Sequence, residues 1–319
     1  MFKGQNRGIR AALLSAFFLG LAPIFGRQAI LLGFSPMAVV AFRTGMAALL
    51  LFLLIFFFKR PLLYIFPVGL VGCLLAGSIN GIGSIFYYLA LERLSASVGQ
   101  LLYSLYPIFV VFWLFLDRQF PTKLTLIRIG LAVIAVALLT HTGDAKIDGV
   151  GVTFMLIASA LYALHLPINQ RVLYEAPAPT VTLYTLISMS AIVIPAYFLF
   201  GRHSTPAGVF IWYPVIGLTL VTFLSRLSLF MGVKHIGGMQ TALLGLGELL
   251  VTVIVGRFWL KETLSVWQCA GAGLLIASIL LVKFEKVVPI QNKPVGGWLS
   301  WIRPPATKFP PDLPWGPPN

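Results

Sequence analysis

Apolar residues in this chain come in long runs, with polar residues gathered into short stretches between them. Runs long enough to cross a bilayer as helices, about 20 residues each, fall at roughly 11–32, 36–58, 63–89, 95–116, 124–140, 149–168, 180–200, 209–231, 239–256 and 264–282. The pattern predicts an all-α polytopic membrane protein with ten transmembrane helices. The third run is broad and leaves room for a tilt or a re-entrant start at Pro67. After Lys286 the pattern stops: nine prolines lie between Val287 and Asn319, with Trp298, Trp301 and Trp315 among them. That composition reads as a mostly extended Pro-rich tail, with docking through the tryptophans as the alternative.

A polar break, THTGDAKIDG at 140–149, divides the runs five and five. An internal repeat spans it. A shift of 144 pairs Pro23 with Pro167 and Arg27 with Arg171; 142 pairs Leu101 and Leu102 with Leu243 and Leu244, and Tyr106 with Glu248; 141 pairs Thr122 with Thr263 and Gly130 with Gly271. An odd number of crossings per half inserts the second half upside down, so the expected units are two inverted five-helix repeats, 1–143 and 144–286, followed by the tail at 287–319. With the N-terminus inside, fifteen Lys and Arg fall on the inner side and six on the outer. That asymmetry predicts both termini in the cytoplasm.

Composition sharpens the class. At 59% hydrophobic and 10% charged residues, with mean hydropathy +0.94, the chain carries more apolar surface than a soluble core absorbs. The net charge of +14 is spread among loops and does not form one basic face, which argues against nucleic acid as a partner. Cys73 and Cys269 stand alone in apolar runs and make no disulfide framework or metal cluster. No nucleotide loop of the G-x-x-x-x-G-K-[ST] type and no H-E-x-x-H pattern occurs, so neither a cofactor nor a metal is expected and an enzyme is not.

Polar residues inside the runs are the candidates for function. Glu248 sits halfway along the ninth run, where an ionised carboxylate costs about 3 kcal/mol unless something compensates it. Arg226 on the preceding run is a candidate ion-pair partner; the functional alternative is that Glu248 exchanges a proton or binds a cationic group. Asn80, Tyr106 and Glu248 fall near the midplane, with Ser84, Tyr87, Tyr103 and Arg43 nearer the outside. Tyr162, His165 and Asn169 share a helix face by i, i+3, i+7 spacing. The expected substrate-binding set is therefore Arg43, Asn80, Ser84, Tyr87, Tyr103, Tyr106, Tyr162, His165 and Glu248, with Glu248 also the coupling residue. For each tyrosine singly, packing with one satisfied hydroxyl is the competing account.

The chain also resembles the EamA-type branch of the drug/metabolite transporter superfamily. The residues carrying the likeness are Ser35-Pro36 with Ala41-Phe42-Arg43, Phe86-Tyr87-Tyr88-Leu89-Ala90-Leu91 with Ser95-Ala96-Ser97, Leu105-Tyr106-Pro107, Asp148-Gly149-Val150-Gly151, Gly247-Glu248, and Leu260-Lys261-Glu262-Thr263 with Gly271. Leu249 stands where the family's ninth span has proline after the acid, which puts a break in that helix in question. Asp117-Arg118 supplies the acid after the fourth span, displaced from Glu262 in the repeat. The resemblance implies an inner-membrane carrier for small metabolites, amino acids or drugs, often outward. The expectation is thus a secondary transporter working by alternating access, with a small-molecule substrate, protons as a candidate coupling ion and the lipid bilayer as its surroundings. A lipid or lipid-linked solute carrier is the alternative within transport, and a membrane-embedded receptor or scaffold the alternative outside it.

Overall fold

The computed structural model describes residues 2–94, 99, 102–139, 148–201, 209–260, 266–284 and 297–302. Among them the regular structure is helical. The helices are α1 (Phe2–Leu31), α2 (Pro36–Phe58), α3 (Pro67–Leu91), α4 (Tyr106–Leu116), α5 (Lys123–Leu139), α6 (Gly149–Leu173), α7 (Ala178–Phe200), α8 (Tyr213–Gly245), α9 (Gly247–Leu260) and α10 (Val266–Leu280). Among the described residues, six stretches are long and apolar enough to cross a membrane: Gln5–Leu31, Pro36–Phe58, Pro67–Leu91, Gly149–Leu173, Ala178–Phe200 and Tyr213–Val251. This is a multi-pass membrane protein. The motif residues 95–97, the break at 140–147, residues 261–263 and the side chains of Arg27 and Cys269 lie outside what is described.

Local chemistry sets the helix starts. Ser35 accepts a hydrogen bond from the Ala38 amide at 3.2 Å and Pro36 follows it, opening α2 with a cap and a residue that lacks the redundant N–H. At Pro67 the chain begins α3 as an ordinary helix and makes no re-entrant turn. Asp148 caps α6 through Val150 N at 3.0 Å. That bond, reinforced by Arg93 at 3.3 Å, holds the Asp148 carboxyl below the usual carboxylate range.

The stretch Tyr213–Val251 has 39 residues and would run about 58 Å if straight, far beyond a bilayer core of about 30 Å. Gly237 resolves this. Its φ of 81° and ψ of 163° belong to a region reserved for glycine, and the chain folds back there. A Cβ on Gly232 would lie 3.1 Å from Cγ2 of Thr241, although nine residues of straight helix would separate the two by about 13 Å.

Packing pairs the helices in a closed scheme. The principal contacts are α1 with α8 and α9, α3 with α6, α2 with α7 and α8, α3 with α7, α4 with α6, and α5 with α10. Moving every helix five places along the chain returns the same set. The direction of travel reverses as well. α1 starts beside the Gly237 turn, where Gly8 meets His235 and Ile236, and finishes near Phe34, which packs on Trp212. α6 starts at the opposite end, beside Arg93, and finishes at the Gly237 turn, where Gln170 accepts a bond from Gly238 N at 2.7 Å. Below, the end holding the start of α1 is called proximal and the other distal.

Candidate functional site

Two of the helices that meet in the middle are interrupted at matching places. Ser104 and Leu105 form a turn before α4, and Leu246 forms one before α9; these positions differ by 142, the offset that pairs Tyr106 with Glu248. At Leu246 the helix is interrupted for one residue, which keeps right-handed φ/ψ of −57° and −16°, and Gly245 and Gly247 flank it. Breaking a helix frees a carbonyl. The Leu246 amide turns back to Leu244 O, and Ala242 O is taken by the Tyr106 hydroxyl at 3.0 Å. Gly245 leaves the space for that hydroxyl, which a Cβ would occupy.

Tyr106 belongs to a chain of touching rings. Tyr87 meets Tyr103 with centroids 4.9 Å apart, Tyr103 meets Tyr106 at 5.9 Å and Tyr162 at 5.3 Å, and Tyr106 meets Tyr162 at 5.0 Å. His165 stacks obliquely on Tyr162 at 4.8 Å. The i, i+3 spacing of 162 and 165 places that pair on one face of α6, whereas Tyr103 and Tyr106 stand on either side of the turn at Ser104 and Leu105. Across from them, the Arg226 guanidinium lies 5.4 Å over the Tyr162 ring, with Nη1 3.4 Å from His165 Nε2. His165 Nδ1 faces the Tyr162 carbonyl. Glu248, 4% exposed, is close enough to act electrostatically on Tyr87, Tyr103, Tyr106 and Tyr162, and Arg226 is the cation that acts on it.

The remaining expected residues divide. Arg43 sits at the distal edge of the ring chain, 5.3 Å over Tyr88, with its Nε buried and without a hydrogen-bond partner. Asn80 is turned to α7 and bonds the Met189 sulfur at 3.6 Å, and Ser84 is buried one turn further along α3. Asn169 is a structural tie: it donates to His165 O at 3.0 Å and accepts from Thr185 Oγ1 at 3.0 Å. What gathers is a cluster of packed aromatic rings with one carboxylate and two guanidiniums near it. Aromatic faces and a carboxylate attract cationic groups, and guanidiniums attract anionic ones.

A second polar cluster, at the proximal end, was not foreseen as a unit. Asp117 is fully buried and receives both Arg171 Nε at 2.8 Å and Nη2 at 2.7 Å, together with Gln119 Nε2 at 3.0 Å. Gln119 accepts from Gln170 at 2.9 Å, and Gln170 also binds Gly238 N and Tyr174 Oη at 2.7 Å. α4 ends here in a reversed residue, Arg118 at φ 58°. Gln119 N bonds Leu114 O and Arg118 N bonds Phe115 O, the Schellman pattern, which aims Asp117 and Gln119 inward. The signal available in sequence was the pairing of Arg171 with Arg27 and the acid at Asp117.

The tail also differs from an extended chain where it is described. Residues 297–302 make a turn, with Ser300 N bonded to Gly297 O and Ile302 N to Leu299 O, whose Leu299 and Ile302 are buried. Spacing explains it: Leu299 and Ile302 share one face, while Trp298 and Trp301 share the other and stay exposed.

Comparison with known proteins agrees with the duplicated architecture. The model of the EamA-like transporter family matches twice, over residues 6–141 and 149–284. A protein of Archaeoglobus fulgidus described as an uncharacterized transporter is 25% identical over 283 residues, spanning 88% of this chain and 97% of its own. The uncharacterized transporter YcbK of Bacillus subtilis is also 25% identical, over 80% of this chain and 86% of its own. A solved crystal structure superposes with a TM-score of 0.72 at 15% identity, covering 89% of this chain and 97% of that one, and so shares the fold.

Proposed function

The chain belongs to the EamA-like transporter family, and from that premise we propose that it is a secondary transporter moving a small metabolite, amino acid or drug-like solute outward across the cytoplasmic membrane. Ten crossings form two inverted five-helix repeats, with both termini in the cytoplasm and the proximal end inside. The exchange of helix contacts between the halves and the opposed directions of α1 and α6 support this arrangement. Alternating access then proceeds by rocking one half against the other around a fixed central site.

The observation that carries the reading is the convergence of Tyr87, Tyr103, Tyr106, Tyr162, His165, Arg226 and Glu248 at two matching helix breaks. Broken helices meeting inside a bundle are where such carriers hold substrate. A solute bearing both an ammonium and a carboxylate, as an amino acid does, matches Glu248 on one side and Arg226 or Arg43 on the other. Glu248 is also the coupling group, alternating between a proton and the solute.

The test is flux into proteoliposomes containing the purified protein, with a panel of labelled amino acids, nucleosides and cationic drugs at pH 5.5 to 8. At least one solute is expected to move faster than into protein-free vesicles, with a pH dependence that Glu248→Gln abolishes while the variant folds and inserts. Flux that is unchanged in Glu248→Gln at every pH removes Glu248 from the mechanism. Flux of no solute in the panel, with transfer of a fluorescent lipid instead, replaces this reading with that of a lipid carrier.

A further inference from the structure

The turn 297–302 reaches the proximal end after residues 285–296 and is separate from the membrane-spanning helices, yet it is packed like core. The Leu299 amide donates to Asp117 Oδ1 at 3.1 Å, so the carboxylate that binds Arg171 of α6 also binds the tail. Gly297, at φ 88°, lies so close that any Cβ there would run into Asp117. Leu299 is fully buried and Ile302 is 3% exposed. Both join the cluster that holds Leu114 of α4 and Val172 and Leu173 of α6, and Ile302 reaches Gly72 of α3. The Trp298 indole donates to Trp113 O at 3.4 Å.

Six residues thus contact α3 and α4 of the first half directly and are tied to α6 of the second through Asp117, whose carboxylate also holds Arg171 in a buried ion pair. We propose that Gly297–Ile302 is a removable latch: seated, it holds the two halves together at the proximal end; released, it lets that end open. The proposal rests on the alternating-access reading above. Its physical basis is that opening separates the surfaces that Leu299 and Ile302 bridge. Each apolar side chain that must leave the core raises the cost of opening, and the two together shift the closed-to-open ratio by about tenfold or more. The turn is also built to leave: Trp298 and Trp301 already face outward at 40% and 47% exposure, and no membrane crossing has to be unthreaded.

The experiment is hydrogen exchange followed by mass spectrometry on the full chain in nanodiscs, on a form truncated before Val287, and on full-length Leu299→Asp. Peptides covering 110–120 and 165–176 are expected to exchange about tenfold faster in both altered proteins, while distal peptides covering 28–40 keep the wild-type rate. A synthetic peptide of residues 287–319 added to the truncated form restores protection with a saturable dose dependence. Unchanged exchange at the proximal end in both variants overturns the latch, and so does equal acceleration at both ends, which marks general destabilisation. The proteoliposome flux above is measured on the same proteins. Proximal exchange that responds without flux of any probe retires the carrier reading and upholds the latch, whereas flux without a proximal response does the reverse.

Discussion

Removing Asp117 alone should be far worse than removing it together with Arg171. The Asp117 side chain has no exposure and Arg171 has 3%, and two charge-assisted bonds at 2.7 and 2.8 Å join them. Asp117→Ala leaves a guanidinium buried beside apolar Leu114 and Val172, and strips Gln119 and Leu299 of their acceptor. Breaking a buried pair from one side costs about 3–5 kcal/mol, because the orphaned charge keeps its desolvation penalty. Arg171→Met orphans the carboxylate and should cost a similar amount, softened by the Gln119 and Leu299 donors that remain. In Asp117→Leu/Arg171→Met no charge is left in the interface, and replacements of this kind range from neutral to about 1–4 kcal/mol stabilising.

Reversible unfolding of the purified protein by sodium dodecyl sulfate in mixed micelles measures the three variants against wild type. Both single variants should unfold at markedly lower detergent fraction, and the double variant should recover most of the loss. The lost Gln119 and Leu299 bonds set the residual deficit, about 1 kcal/mol each. A double variant as unstable as the sum of the singles would refute the reasoning, since it would mean that the pair contributes through contacts other than mutual neutralisation.

Three further outcomes follow from the geometry. Tyr106→Phe orphans the Ala242 carbonyl exposed by the helix break and should cost about 1–3 kcal/mol in the same unfolding assay; a loss below a few tenths would show that water replaces the hydroxyl. Gly237→Ala forces a side chain into a conformation tolerated only by glycine, for about 1–3 kcal/mol, with the loss read as a lower unfolding midpoint. Asp148 has its folded-state carboxyl lowered by Val150 N and Arg93, so its contribution is complete above the ordinary carboxylate range and is lost as pH falls through the folded value. The melting-temperature difference between wild type and Asp148→Ala should therefore be constant from pH 8 to 5 and shrink below pH 4.

Hydropathy marks the apolar runs because a bilayer demands them, and among the described residues six stretches are long enough to cross one; the helix starts at Pro36 and Pro67 fall on residues that physically open a helix. What the pattern blurred was the interior of a run. The break at Leu246 carries no proline, and glycines on either side of a leucine look the same in an unbroken apolar helix. The tyrosines fall at a common depth, but depth says nothing of direction, and the sequence does not show that Asn80 donates to the Met189 sulfur. Sequence offers Arg226 as a candidate partner for Glu248, and its additional place between Tyr162 and His165 depends on the relative rotation of α6 and α8. The Asp117 cluster was hidden for another reason: its residues lie at helix ends, where sequence reads as loop, and they meet only because Arg118 turns the chain back.

The two ends of the bundle are held by forces of different kinds. At the distal end, among the described residues, the charged contact is Arg93–Asp148 at 3.3 Å, with side chains 50% and 38% exposed; such a pair contributes about 0–1 kcal/mol and weakens with salt. At the proximal end Asp117, Arg171, Gln119 and Gln170 form a connected network closed over by Leu299, and its polar groups find partners only while the ends of α4 and α6 and the Gly237 turn stay together. Parting the distal ends exposes a bond that water replaces readily, whereas parting the proximal ends strands buried donors and a buried charge. The helix contacts exchange between the two halves, but the two ends do not share the same chemistry. The buried network at the proximal end therefore rests on Asp117 and on the tail residue Leu299, which bonds it.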